Sequence, residues 1–281
     1  MVLICNRKSY FENTPYPIDI VYTWGGENNN NDNIRESYNN ELQFSLRSVF
    51  EYMPWFNKIY IIINTPLEKN KPSWFNEKYR DKIVLLDQKD IFPKDKHHLL
   101  PCKDSNIIES YLSYIPNLEE HFIYMNDDFI INSDISWDLF YDLDKILLHK
   151  NVKYYNKLNF NTEMNFINYP YTYKYNKYHP HIPYAFTKTT YNNFLNEYSE
   201  WISWIRNSDY KKRLNIDKCH DYGLHKPCQQ LHYPYRIYLY INNLGKISNN
   251  LYDIYLFGDN KFFLPIQIYY FNILYKAPFL T

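Results

Sequence analysis

Four short runs of β-branched and aromatic residues punctuate the first half of the chain, with amphipathic stretches between them. Ile18-Asp19-Ile20-Val21-Tyr22-Thr23, Lys58 to Ile63, Lys82 to Leu86 and His121 to Met125 are apolar nearly throughout, as strands buried on both faces are. Between the first two, Leu42, Leu46, Val49, Phe50 and Met53 recur at helical spacing. They predict a helix over Glu41 to Met53, stopped by Pro54. Ser105 to Tyr114 predicts a second helix, with Ser105 as its N-cap. Strands alternating with helices predict an α/β fold, a mostly parallel sheet covered on both faces.

The second half is less regular. Asn151 to Tyr178 is dense in Tyr and Asn without a clear period and reads as an insertion or subdomain. Thr189 to Ile205 predicts a helix, and Ile237 to Ile241 and Phe262 to Leu274 read as strands or buried segments. The expected organisation is one catalytic domain over residues 1–281, with a core at 16–145, a less regular insertion at about 146–178 and a C-terminal catalytic part at 179–281.

In parallel sheets, ligands bind outside the carboxyl ends of the strands. That rule selects two turns, one after Thr23-Trp24 and one carrying Asn126-Asp127-Asp128. Gly25-Gly26 and the Asn-rich stretch to Asn33 leave the first strand as a loop, either a plain surface loop or a lid.

Composition narrows the class of function. Lys and Arg together number 31, as do Asp and Glu, so the basic excess of a nucleic-acid protein is missing. The 32 Tyr, 18 Phe and 6 Trp suit stacking on sugars or bases, yet they accompany abundant Ile, Lys and Asn, which points to codon bias first. Cys5, Cys102, Cys219 and Cys228 form no CxxC pair and read as reduced thiols. No run reaches membrane-span length and the N-terminus has no signal-peptide pattern, so a cytoplasmic protein is expected.

Several side chains suit chemistry. Asp127 and Asp128 are adjacent carboxylates at a strand end, the oxygen donors that Mg²⁺ or Mn²⁺ on a diphosphate requires, though the triplet is also ordinary turn composition. Glu109 follows Ile107 and Ile108 in apolar surroundings, though a lone helical Glu is usually a surface residue. His181 lies between two prolines and has the pKa range of an acid or base. Without more, it also reads as a loop residue, or with His179 as a metal ligand.

The order of these pieces resembles the Stealth family of hexose-1-phosphoryl transferases. Ile18 to Trp24 looks like its I-D-x-V-Y-T-W strand. Glu41-Leu42-Gln43-Phe44-Ser45-Leu46-Arg47-Ser48 is similar to its E-L-x-Y-S-L-R-S helix. Leu100-Pro101, Ser105, Ile108-Glu109 and Phe122 to Asp128 follow the second signature in order, and His181-Ile182-Pro183 resembles the H-x-P segment. The likeness is close over residues 18–140 and sparse beyond.

The resemblance implies a Rossmann-like sheet of the glycosyltransferase-A kind and transfer of a hexose-1-phosphate from a UDP-sugar, UDP-GlcNAc among the candidates. The acceptor would be a glycan hydroxyl, UMP would be released, and Mg²⁺ or Mn²⁺ would serve as cofactor. By the same resemblance, Glu109, Asp128, His181 and Arg213 are the catalytic groups. Arg213 stands four residues before Asp217, and Arg206 and His220 are its rivals. Asp19, Thr23, Trp24, Arg47, Ser105 and Asn126 are expected to bind substrate, and Asp127 and Asp128 the metal. Gly25-Gly26-Glu27 after Trp24, and Asn64-Thr65-Pro66 after the second strand, depart from the family pattern and bear on donor choice. The alternatives are a metal-dependent glycosyltransferase that releases UDP and an inactive glycan-binding protein.

Overall fold

A computed structural model describes residues 13–27, 40–131, 134–149, 183–207, 231, 235, 238–239, 242–248 and 254–256. Its centre is a five-stranded sheet in the order β3-β2-β1-β4-β8. The strands are β1 Ile18–Trp24, β2 Ile59–Ile63, β3 Ile83–Asp87, β4 His121–Asn126 and β8 Tyr184–Thr187. The first four run parallel and β8 pairs antiparallel to β4. The α/β, mostly parallel expectation therefore holds, and each of the four strands expected in the first half lies within a residue of its place.

Helix α1, Glu41–Tyr52, covers one face. Its buried stripe includes Ser45 and Ser48 as well as the expected Leu42, Leu46 and Val49. The serines have partners. Tyr22 of β1 places its hydroxyl 2.9 Å from Ser45 Oγ, Ser45 donates to the Phe129 carbonyl, and the Ile131 amide donates to Ser48 Oγ at 3.0 Å. Buried hydroxyls are tolerated where such bonds are made. Here they strap β5, Phe129–Ile131, against α1.

The other face carries α3, Ser105–Glu109, α4, Lys188–Glu197, and α5, Ser199–Asn207. The short helix α2 is Leu67–Asn70. Two helix expectations are corrected. The helix expected to reach Tyr114 ends at Glu109, and Leu112–Tyr114 is a separate 3₁₀ turn. Its N-cap is Asp104, whose carboxylate accepts from the Asn106 amide; a carboxylate one position earlier displaces Ser105 from that role. The helix expected over Thr189 to Ile205 is two helices that meet at Tyr198, where the α4 dihedrals end.

Of the two readings of Ile237 to Ile241, a strand or a buried segment, the second holds at Tyr238 and Leu239, which are buried and helical. Tyr235, Tyr238 and Leu239 are all buried at i, i+3 and i+4, a spacing that an all-apolar run conceals. Residues 145–149 form β7, which pairs with β6, Tyr141–Asp142, and β9, Gly245–Ser248. The first residues expected in the irregular insertion are therefore strand. Strand β10, Ile254–Leu256, pairs with β5. The rest of the insertion, Cys219, Cys228 and Phe262 to Leu274 lie outside the described residues.

Many aromatics are core. Phe122 stacks on Phe186 at 5.1 Å, and Phe186 on Tyr235 at 4.8 Å. Tyr141 donates to the Phe122 and Phe186 carbonyls. Among the described residues, no helix is long and apolar enough to cross a membrane.

Candidate active site

Strand order reverses between β1 and β4. Chain order runs one way from β1 through β2 to β3, and the other way from β1 to β4. Such a switch point opens a crevice at the carboxyl ends of its two strands. The two turns selected from the sequence meet there, because Thr23 of β1 lies directly beside Asn126 of β4.

On the face of α3, Thr23 Oγ1 is 2.9 Å from the Tyr124 hydroxyl, and the Glu109 carboxyl is close enough for its charge to act on that phenol. Glu109 is buried at 6% exposure, so the surface reading of this helical Glu is overturned. Its backbone is held independently. Tyr191 of α4 donates to the Glu109 carbonyl at 3.0 Å, and Arg206 of α5 donates to the Ser110 hydroxyl at 3.0 Å and to the Ser110 carbonyl. Burial pushes the Tyr124 phenol well above its ordinary range, and the nearby Glu109 charge adds to the effect.

Asp127 and Asp128 form the turn between β4 and β5. β4 is fixed in the sheet and β5 is strapped to the α1 serines, so the acidic turn is anchored on both sides. Burial, then the Asp128 charge and then Glu41 at the start of α1, push the Asp127 carboxyl up to about 7. Among the described residues, no group of three or more His, Cys, Asp or Glu is placed to hold a metal ion. Two carboxylates remain, Asp127 and Asp128.

The structure thus gathers Glu109, Thr23, Asn126, Asp127 and Asp128. Trp24 ends β1, buried, with its ring 6.3 Å from Trp74. Ser105 is exposed one helical turn before Glu109, on the same face of α3. Arg47 lies on α1 with its guanidinium 5.7 Å from the Phe44 ring.

Asp19 is set apart. It begins β1 at the opposite end of the sheet, about 16 Å from Trp24 at 3.3 Å per residue. There it accepts from Asn57 Nδ2 at 2.9 Å, the Lys58 amide at 3.1 Å and the Glu119 amide at 2.8 Å. It knits two loops together, and the expectation that it binds substrate is corrected. Arg206, the rival to Arg213, braces Ser110 and stacks 4.1 Å over Tyr111. His181 and Arg213 lie outside the described residues. The chain enters β8 at Tyr184, opposite Tyr124, on the rim that carries the site. Sequence reasoning missed Tyr124, Tyr191 and Glu41. The signal for Tyr124 was its parity, two residues before Asn126 and so on the same strand face.

Residues 35–149 match the family model for Stealth protein CR2, conserved region 2. Over these residues the chain is similar to Stealth proteins. The Stealth region holds Glu41, Glu109, Tyr124, Asn126, Asp127 and Asp128, and β1 precedes it. A capsular polysaccharide phosphotransferase of Actinobacillus pleuropneumoniae is 40% identical over 107 residues, 38% of this chain and 28% of that protein. One of Neisseria meningitidis is 33% identical over 153 residues, 47% of this chain and 40% of its own. One of Haemophilus influenzae is 35% identical over 144 residues, 44% and 37%. The matched part of the chain spans less than half the length of these relatives.

Proposed function

We propose that this chain transfers a hexose-1-phosphate from a UDP-sugar to a hydroxyl of a glycan and releases UMP. The observation that carries the reading is the meeting of Glu109, Thr23, Asn126 and the Asp127-Asp128 turn at the switch point, within a chain similar to capsular polysaccharide phosphotransferases.

In this reading the acceptor oxygen attacks the β-phosphorus, the bridge to the α-phosphate breaks, and UMP departs with the bridging oxygen. His181 takes the acceptor proton and Arg213 faces the charge on the transferred phosphoryl. Glu109 holds a fixed carboxylate beside the reacting groups. Mg²⁺ ordinarily takes one or two protein carboxylates together with substrate phosphates, so Asp127 and Asp128 suffice as the protein's share. Burial lifts Asp127 first and the Asp128 and Glu41 charges add to it, and a cation held there would relieve that added repulsion. Mg²⁺ or Mn²⁺ held there would screen the diphosphate charge.

The test is the nucleotide product from UDP-hexoses, Mg²⁺ or Mn²⁺ and glycoside acceptors. Acceptor-dependent UMP that disappears in Asp128→Asn supports the reading. UDP in its place would make the chain an ordinary glycosyltransferase.

A further inference from the structure

Four segments at the carboxyl edge of the sheet meet at one buried polar hub. Gln88 opens the 3₁₀ turn Gln88–Asp90 after β3 and is 1% exposed. Its side-chain amide pairs with the backbone of Cys102. The Cys102 amide donates to Gln88 Oε1 at 2.8 Å, and Gln88 Nε2 donates to the Cys102 carbonyl at 2.7 Å. The same Nε2 donates to Asn64 Oδ1 at 2.9 Å. Asn64, the first residue after β2, donates from Nδ2 to the Gly25 carbonyl at 2.6 Å.

Backbone chemistry fixes the orientation of both side-chain amides. A peptide N–H only donates and a carbonyl only accepts, so Gln88 can meet Cys102 only this way round. Its second amide proton then needs an oxygen, which Asn64 supplies, and that leaves the Asn64 NH₂ for Gly25. Gly25 and Cys102 lie outside the strands, so the hub stands in for ladder bonds there. The loop after β1 is docked beyond its glycine turn as well. Gly26 sits at φ 96°, which glycine adopts freely. Past it, Glu27 Oε1 accepts from the Ser73 amide at 2.7 Å and from Ser73 Oγ at 2.8 Å. On the other side of the hub, Cys102 stands two residues before Asp104, the N-cap of α3, the helix that ends in Glu109.

We propose that Asn64, Glu27 and Gln88 are positioning residues. Asn64 and Glu27 hold the Gly25–Glu27 loop as the donor-side wall of the crevice, and Gln88 ties that wall to the segment entering α3. This rests on the sugar-phosphate transfer proposed above. A donor held by its diphosphate at the Asp127-Asp128 turn lies next to the exit of β1, because Thr23 is beside Asn126, and the docked loop is the wall it meets.

The test is the kinetics of acceptor-dependent UMP release by the full chain, with donor KM, acceptor KM and kcat measured separately and Tm recorded for every variant. Asn64→Ala and Glu27→Ala are each expected to raise donor KM about fivefold, with kcat and acceptor KM changed less than about twofold. Glu27→Gln, whose carbonyl still accepts from Ser73, should restore donor KM to within about twofold of wild type. Gln88→Leu breaks both arms of the hub, and should raise donor KM and also lower kcat about tenfold. If Gln88→Leu does not fold, the Asn64 and Glu27 variants decide the matter alone. Unchanged donor KM in both alanine variants, or an equal rise in donor and acceptor KM, overturns the positioning role while the functional reading stands. A wild-type chain that releases no UMP from any donor overturns the functional reading, and this role with it.

Discussion

Asp127→Asn tests the electrostatics of the acidic turn most simply. The Asp127 carboxyl is raised from 3.8 to about 7 in the folded chain. Between those values the folded state holds a proton that the unfolded state has released. Stability from this group is therefore fully present below about pH 4 and is lost as pH rises through 7. The limiting slope for one proton is about 1.4 kcal/mol per pH unit. Asp127 is only half-buried by surface exposure, so from pH 5 to 7 we expect a loss of about 1–2 kcal/mol, short of that limit. Urea unfolding at pH 5, 6, 7 and 8 in EDTA would measure it. Asp127→Asn should flatten the profile and exceed wild type in stability at pH 8. Mg²⁺ or Mn²⁺ should raise wild-type stability at pH 8 more than that of the variant. Parallel profiles for the two proteins would refute the reasoning.

Other perturbations separate bracing residues from the site. Asp19→Ala strands one side-chain donor and two backbone amides, and should cost about 3 kcal/mol or more in urea unfolding while the surviving folded protein keeps its kcat. Arg206→Lys loses the forked contact with Ser110 and the stacking on Tyr111. It should lower stability by about 1–3 kcal/mol and lower kcat as α3 loosens, both read on one preparation. A Cβ at Gly245 would lie 2.7 Å from Leu148 Cδ1. Gly245→Ala should therefore lower the thermal midpoint without changing KM.

The strands were legible because each is a compact apolar run with turn residues at its ends. Helix α1 was legible because Leu42, Leu46 and Val49 keep a clean period up to Pro54. What one sequence cannot encode plainly is adjacency. Thr23 and Asn126 are neighbours only because β4 joins the sheet beside β1, a pairing across about a hundred residues that periodicity does not register. Tyr124 was hidden for a related reason, since a tyrosine inside Phe122-Ile123-Tyr124-Met125 reads as core until its hydroxyl is seen beside Thr23. Asp19 misled in the opposite direction. It lies beside motif residues in the chain, but strand geometry puts it at the far end of the sheet.

The central claim is that the bond broken lies between the two phosphates of the donor, and labelling the β-phosphorus of a UDP-hexose with ³²P decides it. The account predicts acceptor-bound label and unlabelled UMP, both abolished in Asp128→Asn. Label recovered in UDP, with an unlabelled glycan product, would contradict it.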